Sequence, residues 1–175
     1  MEISLEELRI ADAESLFAFE FNNKDFFEKM VPSRGIEYYQ YDVFLSRLKS
    51  LLEEQAQGIS YFYLIKDNDD SILGRINLVD IDKSKAIGYL GYRVGQLHTG
   101  KGIASKALKI LLEKIANEGL VNEILAKTTS NNKASQRILV KNGFELFSTT
   151  ENSIEIGGEK LQFVHYRCRL PIELH

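Results

Sequence analysis

Residues 95–108 read "GQLHTGKGIASKAL", in which three glycines and Lys101 stand directly before a run of apolar residues with helical period. Ile103, Ala107, Leu108, Leu111, Leu112 and Ile115 continue that period and Gly119 ends it, so a helix is expected from about residue 103. Gly100, Lys101 and Gly102 then lie at its mouth. The first amides of a helix have no carbonyl partner within it and carry partial positive charge. Glycines let a diphosphate approach such amides without a side chain in the way. A turn that merely redirects the chain is the plainer alternative.

The segment "GQLHTGK" also fits the GxxxxGK part of a nucleotide-binding P-loop. Gly102 stands where that loop needs Ser or Thr to hold magnesium. The segment feeding the loop ends a meander and not a parallel strand opening the chain. ATP hydrolysis is therefore disfavoured, and another phosphate ligand is expected.

Upstream, "ISYFYLIK", "ILGRINLVDI" and "AIGYLGYRV" are separated by the turn-formers "DNDDS" and "DKSK", the pattern of an antiparallel meander. Before them come a strand, "SLEELRI", and a helix "AESLFAFEF" that Asp12 is expected to cap. The aromatic segment 21–44, broken by Pro32 and Gly35, reads as helix, loop, helix. Its second helix continues through "FLSRLKSLLEEQ", with Phe44, Leu45, Leu48, Leu51 and Leu52 on one face, to Gly58. Downstream are a strand "EILAKTT", a helix "NKASQRILVKN" closed by Asn142 and Gly143, and strands "FELFSTT" and "LQFVHYRCR" joined across "GGE". The order predicts an α+β fold: a mixed sheet flanked by helices, with one strand-helix-strand crossover in its middle.

At 175 residues, 44% hydrophobic and 27% charged, the chain is expected to form one domain over residues 1–175. It has no apolar run of the roughly 20 residues a membrane helix needs, and no basic-then-apolar opening, so a cytoplasmic protein without membrane contact is expected. The net charge of -3 and the lack of a basic stripe argue against direct nucleic-acid binding. Cys168 alternates into a strand and reads as a structural thiol, and no histidine, cysteine and carboxylate cluster has metal-ligand spacing, so no metal is expected.

The stretch "TGKGIA", Thr99 to Ala104, resembles the acetyl-CoA signature (Q/R)xxGx(G/A) of the GNAT superfamily of acetyltransferases, with Thr99 replacing the family's Gln or Arg. Thirty residues on, "NKASQRILVKNGF" resembles the NxxS helix of the RimJ/RimL-like branch, which acetylates ribosomal-protein N-termini. The spacing in "GYRVGQLHTGKGIASKAL" and the segment "NNKDFFEKMVPSR" are similar to that branch as well. The resemblance implies a GNAT-like, mostly antiparallel central sheet and acetyl-CoA as co-substrate. By that analogy the amides of Gly100, Gly102, Ile103 and Ala104 hold the pyrophosphate, with Thr99 and Lys101 flanking it. Tyr92, Arg93 and Val94 pair with the pantetheine arm, Asn132 hydrogen-bonds it, and Ser135 faces the thioester sulfur.

Acetyl transfer to an amine needs a neutral nucleophile, a polarised carbonyl and a proton for the departing thiolate. Ser135, three residues after Asn132, is the candidate proton donor; the pair also reads as a helix cap, and both roles are expected. A backbone amide near Val94 would polarise the carbonyl if the strand bulges there. The strand "KAIGYLGYRV" contains no carboxylate base. At pH 7 an α-amine is roughly 10 to 15% neutral and a lysine amine about 0.04%, a roughly 300-fold gap. An enzyme without a base on that strand is better matched to a protein N-terminal α-amine, as on a ribosomal protein, with direct attack in a ternary complex. Glu155 and Glu151 are further base candidates beside the solvated-hairpin reading, and Glu155 enters the catalytic set with Ser135. His98 and His165 read as packing residues, and His175 is terminal. Phe26, Phe27, Tyr38, Tyr39 and Tyr41 read mostly as core, while the resemblance, in which this region forms one wall of the acceptor groove, implies that Arg34 and one or two tyrosines meet the acceptor. Alternatives are a small-amine acetyltransferase for a polyamine, aminoglycoside or amino acid, and a non-catalytic CoA-binding module. A monomer and a homodimer are equally compatible.

Overall fold

A computed structural model describes residues 1–30 and 34–171; Pro32 and His175 fall outside the described residues. Strand β1 (Ser4–Glu7) leads through a 3-10 turn (Ile10–Asp12) into α1 (Ala13–Asn22), α2 (Lys24–Glu28), a second 3-10 turn (Ile36–Tyr39) and α3 (Tyr41–Ala56). The meander β2 (Tyr61–Lys66), β3 (Ile72–Asp82) and β4 (Ile87–Val94) follows. A turn at Gln96–His98 then opens α4 (Ile103–Glu118), after which come β5 (Glu123–Thr129), α5 (Lys133–Lys141), β6 (Glu145–Thr149), β7 (Ile154–Ile156), β8 (Glu159–Leu161) and β9 (Phe163–Arg169). Seven strands form one sheet in the order β1-β2-β3-β4-β5-β9-β6, antiparallel at every junction except β4–β5. The expected mixed sheet, its meander and its central crossover are all present.

Period-two alternation divides the core between the two faces of the sheet. Tyr63 and Ile65 of β2 join Leu108, Leu111 and Ile115 of α4 on one face, while Phe62 and Leu64 join Leu16, Phe44 and Leu48 of α1 and α3 on the other. Cys168 is buried in the first cluster, where burial, followed by the nearby Glu145 charge, pushes its thiol up to about 11, as suits a structural thiol.

Three local features depart from the sequence reading. Asp12 does not cap α1: its carboxylate accepts the Arg9 amide at 2.9 Å, closing the preceding 3-10 turn, and lies 3.8 Å from Lys66. The first strand ends at Glu7: the Leu8 amide still donates to the carbonyl of Phe62, but the Gln55 side chain takes the other half of that pair, donating to the Leu8 carbonyl at 2.9 Å and accepting the Phe62 amide at 3.0 Å. The stretch between β6 and β9 is not a plain connection, since β7 and β8 form a separate two-stranded hairpin on it.

On the α1 face, Arg75 of β3 and Arg93 of β4 are cross-strand partners. Like charges in that position repel, and Glu20 of α1 separates them: Arg75 Nη1 donates to Glu20 Oε1 at 2.7 Å and Arg93 Nη1 to Oε2 at 3.3 Å. Glu20 has no exposed surface. Removing one member of a buried ionic group typically costs about 3–5 kcal/mol because its partners stay buried and unpaired. Glu20→Ala is accordingly expected to lower unfolding stability by about that amount, measured in urea; a loss below about 1 kcal/mol, the scale of an exposed pair, would show that the two arginines do not need the carboxylate.

Candidate active site

β4 and β5 pair only from Ile87↔Glu123 to Leu90↔Ala126, and diverge beyond that point. The Gly95 amide donates to Leu73 of β3, so by alternation the backbone groups of Tyr92 and Val94 point the other way, into the gap. A cavity of about 790 Å³ occupies the gap, lined by Tyr92, Arg93 and Val94 on one side and by Ala126, Thr128 and Ser135 on the other. The bulge that would free an amide near Val94 is not formed: the β3–β4 register runs unbroken from Gly74↔Val94 to Val79↔Tyr89, and its shift lies at the far end, between Val79 and Asp82. Strand divergence, and not a bulge, frees the backbone edge.

The glycine loop forms the mouth of this cavity. Gly100 and Gly102 have φ of 73° and 78°, a left-handed backbone that disfavours residues with a Cβ. Gly102 is the N-cap of α4 and no side chain caps that helix, so the amides of Ile103, Ala104 and Ser105 point outward with the helix's partial positive charge. A Cβ built at Gly100 or Gly102 meets nothing within 4 Å, so the space before these amides is open. Thr99, Gly100, Gly102, Ile103 and Ala104 all line the cavity, whereas Lys101 is exposed outside the lining.

Across the gap, Asn132 Oδ1 accepts the Ser135 amide at 3.1 Å and caps α5. Gln136 Nε2 donates to the carbonyls of Thr129 and Ser130, and Asn142 Nδ2 to Ser105 Oγ, tying both ends of α5 to β5 and α4. The Ser135 hydroxyl takes no part in the cap. Its Oγ lies 2.8 Å from the hydroxyl of Tyr92, a hydrogen bond in which either oxygen can donate. Burial raises the pKa of Tyr92 above the ordinary value, and the Ser135 bond offsets that only in part, so the phenol keeps its proton at neutral pH. When Tyr92 donates, the Ser135 proton is left to point into the cavity.

The far end of the cavity lies on the α1 face, at Phe26, Phe27 and Met30. There Arg34, Arg75 and Arg93 surround Glu20, with Arg34 Nη1 at 3.9 Å from Glu20 and donating to Tyr38 Oη at 2.6 Å. Burial alone would lower the pKa of Arg75; the Glu20 and Tyr38 partners outweigh it and raise the net value, so this guanidinium is charged. Among the described residues lining the cavity, none carries a carboxylate. Glu155 stands exposed on the β7 hairpin, outside the lining, and Glu151 is likewise exposed. His98 lines the cavity with a buried Nδ1 that has no protein partner, and His165 pairs with Thr150 at 2.6 Å.

Sequence reasoning missed Glu20, Arg75 and the Tyr92 side chain. A detectable signal existed: Arg75 interrupts the apolar strand "ILGRINLVDI" and Glu20 the apolar face of "FAFEF", and such charges are buried only when paired.

Residues 2–145 match the acetyltransferase (GNAT) domain family. The chain belongs to that family. It is 27% identical over 158 residues to a probable N-acetyltransferase, YjcK, of Bacillus subtilis, covering 89% of this chain and 87% of that protein. It is 26% identical over 150 residues to the [ribosomal protein uS5]-alanine N-acetyltransferase of Escherichia coli, covering 85% and 77%. The fold superposes with a TM-score of 0.88 on RimL, a ribosomal L7/L12 α-N-protein acetyltransferase solved with coenzyme A, at 18% identity and covering 98% and 96% of the two chains. This GNAT chain thus keeps the architecture of ribosomal-protein acetyltransferases with largely different side chains. Among its described residues, no helix is long and apolar enough to cross a membrane.

The division of labour at α5 is separable by mutation. Asn132→Ala removes the cap and is expected to cost about 1 kcal/mol of unfolding stability, while Ser135→Ala leaves the cap amide in place and loses only the hydrogen bond to Tyr92, about 0.5–1.5 kcal/mol. In urea unfolding the Asn132→Ala loss should persist in a Tyr92→Phe background and the Ser135→Ala loss shrink there; a Ser135→Ala loss unchanged in that background would place its hydroxyl in the helix's own support.

Proposed function

We propose that residues 1–175 act as one cytoplasmic GNAT domain that transfers acetyl from acetyl-CoA to a protein N-terminal α-amine, of the type found on ribosomal proteins. The observation that carries the reading is the single cavity joining the uncapped glycine cradle to the Tyr92–Ser135 pair across the β4–β5 opening. The amides of Gly100, Gly102, Ile103 and Ala104 hold the diphosphate, with the Thr99 hydroxyl and the Lys101 charge flanking it. The exposed backbone edge at Tyr92 and Val94, on either side of Arg93, lies with Asn132 along the pantetheine arm.

Acetyl-CoA supplies a thioester whose carbonyl carbon the neutral amine attacks as the C–S bond breaks. Ser135 donates its proton to the departing sulfur as Tyr92, which keeps that proton aimed into the cavity, passes its own proton to Ser135 Oγ and is reprotonated in turn from water. With Glu155 on the exposed hairpin and no carboxylate in the described lining, the surplus proton of the amine leaves through water. That route suits an α-amine, part of which is neutral at pH 7, far better than a lysine amine. The kinship with an enzyme that acetylates the alanine of ribosomal protein uS5 supports the same acceptor.

The deciding assay is thiol release from acetyl-CoA with peptides beginning Ser or Ala, beside spermidine, kanamycin and free amino acids. Acetylated peptide N-termini are expected; acetylation of a small amine alone would move the acceptor class, and acetyl-CoA binding without turnover on any amine would leave only a binding module. Ser135→Ala is expected to lower kcat about a hundredfold, within the range for a lost proton donor, and Tyr92→Phe about tenfold, with acetyl-CoA affinity little changed in both. An unchanged kcat in Ser135→Ala would remove it from the chemistry. Gly102→Val is expected to weaken acetyl-CoA binding more than tenfold, about 1.4 kcal/mol. Gly119 has the same left-handed backbone at the other end of α4, with φ of 64°, and Gly119→Val should add similar strain without that loss in calorimetry. Equal binding losses in the two variants would contradict the cradle.

A further inference from the structure

The α1 end of the cavity carries more positive charge than its own structure requires. Arg34, Arg75 and Arg93 against Glu20 leave a formal +2, and both carboxylate oxygens are already engaged, by Arg75 and Arg93. Each guanidinium offers five N–H donors in a fixed fork, and among the described residues these donors outnumber the acceptors they bond, the Glu20 carboxylate and the Tyr38 hydroxyl. Arg34 and Arg93 keep part of their surface accessible, at 32% and 19% of the side chain. A second cavity of about 330 Å³ lies behind this point and shares Arg34, Arg75 and Asn77 with the main one. On that shared wall the Oδ1 atom of Asn77 is buried without a hydrogen-bond partner. A buried carbonyl oxygen without a donor is rare in folded proteins. Surplus guanidinium donors beside an orphan acceptor match a ligand that brings both an anion and an N–H.

Resting on the acetyltransferase reading, we propose that the acceptor bears an anionic group a few bonds from its reactive amine, the anion held by Arg34 and Arg93 and a neighbouring N–H by Asn77 Oδ1. Adjacent residues of a strand project to opposite faces, so Tyr92 places the reacting end at Ser135 while Arg93 presents its charge through the opening to the α1 face. An extended residue spans about 3.4 Å, so an acid at the second or third residue of a peptide acceptor is carried one or two such steps from the reactive amine. The shared chemistry is an amine with a nearby carboxylate, from an acidic side chain in a polypeptide N-terminus or from the free carboxylate of a short peptide or amino acid. Polycationic amines meet repulsion at the same arginines.

The test compares kcat/KM for C-terminally amidated peptides that begin with Ser and carry Glu, Gln or Lys at position two or three, beside free Ser-Glu, free glutamate and spermidine. Glu is expected to exceed Lys by at least about tenfold, mainly through KM, and the advantage to shrink as salt rises. Preference for the free acids over the amidated Glu peptides supports the anion and assigns it to a small molecule. Arg34→Gln should bring the Glu-to-Lys ratio near one, and Arg34→Glu should invert it, with acetyl-CoA affinity and melting temperature reporting that each variant is folded. Should either variant fail to fold, the peptide series on the unaltered enzyme decides alone. Equal turnover of the Glu, Gln and Lys peptides, or a preference for spermidine, overturns the anion proposal and leaves the acetyltransferase reading standing. If no amine is acetylated while acetyl-CoA binds, the acetyltransferase reading fails and the anion proposal with it.

Discussion

β4 and β5 run side by side only as far as Leu90 and Ala126, and the parting of those two strands is the constraint on which the site depends. Had the pairing continued, Tyr92 and Val94 would have turned their backbone groups into sheet hydrogen bonds and closed the cavity. The crossover gives the parting a second consequence. Because β4 and β5 are parallel, α4 and α5 both begin at the end of the sheet where the strands separate. Two helix starts, each carrying partial positive charge, therefore face one opening. One is bare at Gly102, and the other is capped by Asn132, whose cap also sets Ser135 against Tyr92.

The strand's alternation then assigns different work to neighbouring residues. Tyr92 belongs to the α4 face and joins the hydrogen bond to α5; Arg93 belongs to the α1 face, where it packs over Phe27 at 4.8 Å and pairs with Glu20. Gathering three arginines around one buried carboxylate is a poor way to gain stability, since well-packed apolar residues often do as well or better in such positions. What the ionic cluster adds is charge and fixed donors beside a cavity, at a point where α1 must in any case be held to the sheet. Under the anion proposal, a stabilising role and a recognition role are thus combined in Glu20 and its partners.

The sequence showed most clearly what one short segment determines by itself. Left-handed positions call for glycine, so Gly100 and Gly102 mark the cradle in the residue types themselves. The spacing of Asn132 and Ser135 likewise implies a first helical turn. Three-strand alternation and the helical period of residues 103–115 were enough for the meander and the crossover. Features set by partners distant in the chain were harder to see. Asp12 looked like a cap, yet in the fold the Arg9 amide and Lys66 take its carboxylate. The β7–β8 hairpin is three residues per strand, too short for a periodic signal. A bulge at Val94 was a reasonable way to free an amide, but strand divergence achieves that without any mark in the local sequence. Tyr92 and Ser135 lie 43 residues apart, and only the tertiary fold brings their hydroxyls together.

The same contrast separates the two halves of the proposed reaction. The donor half is built from contiguous stretches, the loop at 99–104 and the turn at 132–135, so a few residue types at fixed spacing carry it and family membership is evident from them. The acceptor half is assembled from α1, the segment at Arg34, β3 and β4, whose charged residues meet only in the fold. No single segment constrains that end, so its side chains can change while the backbone keeps its course. Substrate choice in this chain is therefore to be sought in the arginines around Glu20, and the acetyl-transfer chemistry in the residues at the β4–β5 opening.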